Sequence, residues 1–109
     1  MAFDEGLAER VRTALGTDPG VTERRMFGGL AFLYEGNMAV GVIGDELMVR
    51  VGPEATEAAL ARPGARPFDF TGRPMRGWVL VAPSAVSEDG ALADWIERGR
   101  GFAASLPPK

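Results

Sequence analysis

Residues 21–51 read VTERRMFGGLAFLYEGNMAVGVIGDELMVRV. Four apolar runs are separated by three breaks: Gly28-Gly29, Glu35-Gly36-Asn37 and Gly44-Asp45. Connections this short force antiparallel neighbours, because a parallel crossover needs about a dozen residues or more. Strands are expected over 22–27, 30–34, 38–43 and 46–51, with a bulge or sharp bend at the glycine pair and a II′ hairpin at Gly44-Asp45. Leu47, Val49 and Val51 alternate with Met48 and Arg50, which implies one buried face and one partly wet face.

Helical patterns flank this block. Residues 3–15 place Phe3, Leu7, Val11, Ala14 and Leu15 at three- and four-residue spacing, with Asp4 and Glu5 in the first turn, and Gly16 stops the run. Downstream, Gly52-Pro53 opens a second helix reaching about residue 61, with proline at the tolerated first position. A short edge strand is expected over 68–70 and a longer strand over 75–82, joined through Thr71-Gly72-Arg73-Pro74. In the longer one Met75, Gly77, Val79 and Val81 face away from Arg76, Trp78 and Leu80. Ser87 reads as the N-cap of the last helix, which carries the stripe Leu92, Trp95, Ile96, Gly99, Phe102, Ala103 and Leu106. The order α-β-β-β-β-α-β-β-α gives an α+β fold: two layers, an antiparallel sheet of five to six strands with helices packed on it, in a single domain over 1–109. Phe27, Phe32, Phe68, Phe70, Trp78, Trp95 and Phe102 are expected to face the core.

Composition excludes several chemistries. With 46% hydrophobic and 25% charged residues in 109, the chain matches a globular domain and not a disordered one. Cysteine is absent, so disulfides, thiolate nucleophiles and zinc fingers are excluded. Histidine is absent too, which removes the usual general base and transition-metal ligand. Ser84, Ser87 and Ser105 therefore lack a histidine base, and the single lysine is the terminal Lys109. The acid pairs Asp4/Glu5, Asp45/Glu46 and Glu88/Asp89 stand where turns and helix starts favour acids, and no phosphate-binding or calcium loop occurs. No catalytic residue, metal or cofactor is expected, and the chain reads as non-enzymatic. A net charge of −3 argues against direct nucleic-acid or anionic-membrane binding. No apolar run approaches the ~20 residues of a membrane span, and no signal-peptide pattern opens the chain, so a cytoplasmic protein is expected.

Arginine supplies the one local departure. Eleven of the 12 basic residues are arginines, the side chain suited to bidentate recognition of carboxylate and phosphate. Arg62, Arg66, Arg73 and Arg76 against Asp69 make residues 62–78 locally +3. Arg24, Arg25, Arg50, Arg73 and Arg76, with Trp78 and Tyr34 for stacking, would form a site for a small anionic ligand or nucleotide if the sheet gathers them. Otherwise each pairs with a nearby acid or lies over apolar surface. An edge strand or a Met/Phe-lined sheet face would also suit a protein partner or a homodimer.

Three blocks carry a family likeness: Arg24-Arg25-Met26-Phe27-Gly28-Gly29-Leu30-Ala31-Phe32, then Leu47-Met48-Val49-Arg50-Val51-Gly52, then Arg66-Pro67-Phe68-Asp69-Phe70-Thr71-Gly72-Arg73-Pro74-Met75-Arg76-Gly77-Trp78-Val79. With Trp95-Ile96-Glu97-Arg98-Gly99 and Ser105-Leu106-Pro107-Pro108-Lys109, they resemble the TfoX/Sxy N-terminal domain family from about Phe3 to Lys109. The resemblance implies a domain of bacterial competence regulators, an α+β architecture like that of secretion chaperones, and no catalytic residues. The family's namesakes carry a second, C-terminal domain that these residues do not include; the resemblance itself implies a stand-alone N-terminal-like domain acting as a regulatory or protein-interaction module.

Overall fold

Glu35 and Gly36 both take positive φ (51° and 85°), and Gly44 does so at the next turn (59°). Turns of this hand match the twist of paired strands, so each folds the chain straight back on itself. In a computed structural model describing residues 3–26, 28–69 and 75–109, these turns join β2 (Gly29–Tyr34), β3 (Asn37–Ile43) and β4 (Glu46–Arg50). Before them come α1 (Glu5–Leu15) and β1 (Val21–Met26); after them come α2 (Thr56–Leu60), β5 (Ala65–Pro67), β6 (Trp78–Val81), a 3₁₀ turn (Pro83–Val86) and α3 (Asp89–Ala104). The strands form one antiparallel sheet in the order β1-β2-β3-β4-β6-β5.

All three helices lie on one face of this sheet. Phe32, Val40, Val49 and Val79 form one cross-strand row, and Leu30, Val42, Leu47 and Val81 another. Both rows pack with Leu7, Val11, Ala59, Leu92, Trp95 and Ile96 into the main core. The opposite face carries a smaller cluster of Met48, Phe68 and Leu80, ringed by the half-buried Met38, Ile43, Met75 and Trp78. Met48 is only 1% exposed, so the central strands are buried on both faces rather than wet on one.

The element order and fold class match the sequence expectation; several boundaries differ for local reasons. Residues 53–55 form turns, and α2 begins at Thr56, whose hydroxyl donates to the Gly52 carbonyl. The edge strand lies at Ala65–Pro67, just before the expected 68–70, because Phe68 turns inward to pack at a tilt against Trp78 (centroids 6.1 Å apart). β6 starts at Trp78, so Met75 precedes the strand and joins Trp78 and Leu80 instead of opposing them. Ser87 caps no helix: its hydroxyl donates to the Ser84 carbonyl, and Glu88 occupies the N-cap of α3. The register irregularity sits at Phe32/Leu33, while Gly28 provides a positive-φ turn residue. Phe27, Phe70 and the Thr71-Gly72-Arg73-Pro74 turn lie outside the described residues.

Helix α3 approaches the sheet most closely at Gly99, where a Cβ would stand 2.4 Å from the Ala39 carbonyl oxygen. Gly101, two residues on, has open space around it. Gly99→Ala is therefore expected to destabilise the fold by about 1–3 kcal/mol through overpacking. Gly101→Ala should be neutral or stabilising by up to about 1 kcal/mol, from helix propensity alone. Chemical denaturation of the two variants checks the contrast.

Candidate binding site

At one end of the sheet a small group of main-chain contacts fixes the site. The Gly77 carbonyl accepts from both Val51 N–H (2.8 Å) and Gly52 N–H (3.1 Å). Its own N–H donates to the Thr56 hydroxyl (2.8 Å), which in turn donates to the Gly52 carbonyl (2.8 Å). Gly52 and Gly77 adopt φ of 91° and 96°, a region open to glycine and strained for other residues. A Cβ on Gly52 would also stand 2.5 Å from the Phe102 ring. This node sets Arg50 directly opposite Trp78 in the β4–β6 ladder and draws Phe102, in the last turn of α3, to the same place.

Arg50 is held by rings alone. Its guanidinium carbon lies 5.2 Å from the Trp78 ring centroid and 5.3 Å from that of Phe102, both within cation–π range. Among the described residues it makes no ion pair or hydrogen bond, and none of them offers an acceptor to its five N–H donors. Arg76, beside the Gly77 node, donates from Nε to the Pro53 carbonyl at 3.3 Å and also lacks a carboxylate partner among the described residues. Arg76 and Trp78 line a cavity of about 230 Å³ with Pro53, Leu60, Pro67 and Met75, and Glu57 and Thr56 complete its wall.

Of the expected cluster, Arg50 and Arg76 each meet Trp78, Arg50 over its ring and Arg76 in the cavity that Trp78 lines. Arg24 and Arg25 do not: they stand exposed on β1, the far edge, three strand spacings or about 14 Å from β4. They also point to opposite faces, since Arg24 shares the row of Ala31, Gly41 and Met48, whereas Arg25 shares that of Leu30 and Val42 and lies over Phe3 at 5.5 Å. Arg73 lies outside the described residues. Tyr34 stacks with Arg100 instead (5.0 Å). Phe102, read from the sequence as a core position, is the functional surprise; it is 52 residues from Arg50, and no local spacing signals the contact.

The remaining described arginines are compensated. Arg10 pairs with Asp89, Arg12 with Glu9 and Glu23, Arg62 and Arg98 with Asp94, Arg66 with Glu46 and Asp69, and Arg100 with Asp18 and Glu97. The acid pairs singled out in the sequence resolve the same way. Asp4 caps α1 by accepting from Leu7 N–H, while Glu46 and Asp89 hold arginines. Two carboxylates are shifted, both downwards: Asp18, mainly by the Gly20 N–H and then by Arg100, and Glu23 by Arg12. No group of three or more acids that could hold a metal ion occurs among the described residues.

The family model described as the TfoX N-terminal domain matches residues 13–103. No curated protein and no solved structure matches the chain.

The depressed Asp18 and Glu23 fix the sign of the pH dependence. A carboxyl whose folded pKa is lowered stabilises the fold above its unfolded pKa, and this is lost as pH falls through the folded value. With no histidine to titrate, the melting temperature should be nearly flat from about pH 6 to 8 and fall below about pH 4. Glu23→Gln should cost under about 1 kcal/mol at neutral pH, its ion pair being partly solvent-exposed, and should flatten the acid limb. Thermal scans across pH check both.

Proposed function

The chain belongs to the TfoX N-terminal domain family, and from that premise we propose that it is a cytoplasmic, non-enzymatic regulatory module acting by contact with a protein partner or a second copy. The family is not a known enzyme family. One observation carries the reading: Arg24, Arg25, Arg50 and Arg76 face the surface without a carboxylate partner, while every other described arginine has one. Uncompensated guanidiniums on a chain of net charge −3 are an incomplete set of charge-assisted hydrogen bonds, and an acidic partner surface would complete it. Strand β1 adds main-chain groups to the offer, because it pairs with β2 alone. A nucleic-acid backbone fits less well, since Glu57 lines the same cavity as Arg76 and the net charge of −3 would repel a long polyanion.

A second reading, a small anionic ligand or nucleotide held by the arginines, is supported by the position of Arg50 and of Arg76 about Trp78 and by nothing at Arg24 or Arg25.

Charge reversal separates the module from its surface. Arg24 and Arg76 lie on exposed positions, so Arg24→Glu/Arg76→Glu should leave stability within about 0.5 kcal/mol per site. Recovery of a bound protein by cross-linking pull-down, or self-association in sedimentation velocity, should fall about tenfold or more. Equal recovery by both proteins would count against the reading.

A further inference from the structure

Arg50 differs from every other described arginine in having two rings over its charge and no acceptor for any N–H. We propose that Arg50 and Arg76, set about Trp78, form a recognition site for a single carboxylate side chain of an extended peptide, with the neighbouring apolar side chain of that peptide entering the cavity beside Trp78. The proposal rests on the protein-interaction reading and supplies the chemistry of the partner.

A half-buried guanidinium is costly to leave unsatisfied, and cation–π contacts offset its charge without engaging its donors. Its planar fork therefore remains complementary to a planar carboxylate, which it can bind through two parallel N–H···O bonds. Arg76 still has its two terminal NH₂ groups free, since only its Nε is used by Pro53. The adjoining cavity of about 230 Å³ is walled by Pro53, Leu60, Pro67 and Met75, a lining that takes an aliphatic or aromatic side chain rather than a second charge. Glu57 on the same wall repels a second anionic group, so a lone carboxylate next to an apolar residue fits better than a polyphosphate. The larger cavity, about 410 Å³ between α1 and α3, offers no such chemistry. Its one cation, Arg10, is already bonded to Asp89 and to the carbonyls of Val86 and Ser87.

The test uses the 109-residue domain labelled with ¹⁵N and three synthetic hexapeptides, with Leu-Glu, Leu-Gln or Gly-Glu at the centre of Gly/Ser flanks, together with inorganic phosphate. The Leu-Glu peptide should shift the Trp78 indole N–H and the Nε–H signals of Arg50 and Arg76. The Leu-Gln and Gly-Glu peptides should bind about tenfold more weakly or worse. Arg50→Lys keeps the charge and loses the fork, and should weaken binding by about tenfold. Arg76→Gln, at an exposed turn position, should weaken it several-fold with the rest of the spectrum unchanged, which keeps the test valid if Arg50 variants misfold. Equal affinity for Leu-Glu and Leu-Gln overturns the site, as do shifts confined to β1. Phosphate binding as tightly as the peptide at the same signals also overturns it, in favour of a free-anion site. A protein partner recovered by pull-down without any peptide response at Arg50 rejects this site and leaves the interaction reading standing; silence in both rejects both.

Discussion

A single carbonyl, that of Gly77, organises the end of the sheet where Arg50 and Trp78 stand. It accepts from two consecutive N–H groups, Val51 and Gly52, at the point where β4 leaves the sheet and the chain turns toward α2. The Thr56 hydroxyl closes the arrangement by bridging Gly77 N–H and the Gly52 carbonyl. Positive φ at both glycines permits the close approach, and the missing Cβ at Gly52 makes room for Phe102. The β4–β6 register follows, and with it the opposition of Arg50 and Trp78. Sheet, last helix and site therefore meet at one backbone contact between segments 25 residues apart.

The distribution of charge partners then sorts the arginines into two kinds. Those on helices and on β5, with Arg62 just after α2, are tied to acids, largely across element boundaries: Arg12 of α1 to Glu23 of β1, Arg100 of α3 to Asp18, Arg62 to Asp94 of α3, Arg66 of β5 to Glu46 of β4. Such half-exposed pairs each contribute little, but they help fix how elements sit on one another. Arg24, Arg25, Arg50 and Arg76 have no part in that framework. Two of them rest on rings, and that contact holds a guanidinium in place while leaving its donors available. Fixing a donor in advance lowers the entropy a partner must give up on binding.

The fold was legible because its cues are local. Gly44-Asp45 and Glu35-Gly36 state their turns within a few residues, whereas the alternation in β4 points to one wet face and Met48 is buried by Phe68 and Leu80 from beyond the strand. Element order followed from those cues, as did the place of Gly99 in the apolar stripe of α3. What was not legible depends on long-range contact. Phe68 leaves the ladder for Trp78, which displaces the edge strand to Ala65–Pro67, and the Ser87 hydroxyl turns back to Ser84 instead of capping α3. The site divides along the same line. Arg50 and Trp78 could be chosen by residue type, but Phe102 and the separation of Arg24 and Arg25 from them are products of strand order and of the reach of α3.

Arg50 is held by Trp78 and Phe102 with its donors free of the described residues, and side-chain NMR reads this directly. Protons on the Arg50 side chain should be displaced upfield by the two rings, and Phe102→Leu, which keeps an apolar side chain there, should remove a large part of that displacement while leaving the Gly77 amide signal in place. Arg50 protons at ordinary positions, indifferent to Phe102→Leu, would contradict the account.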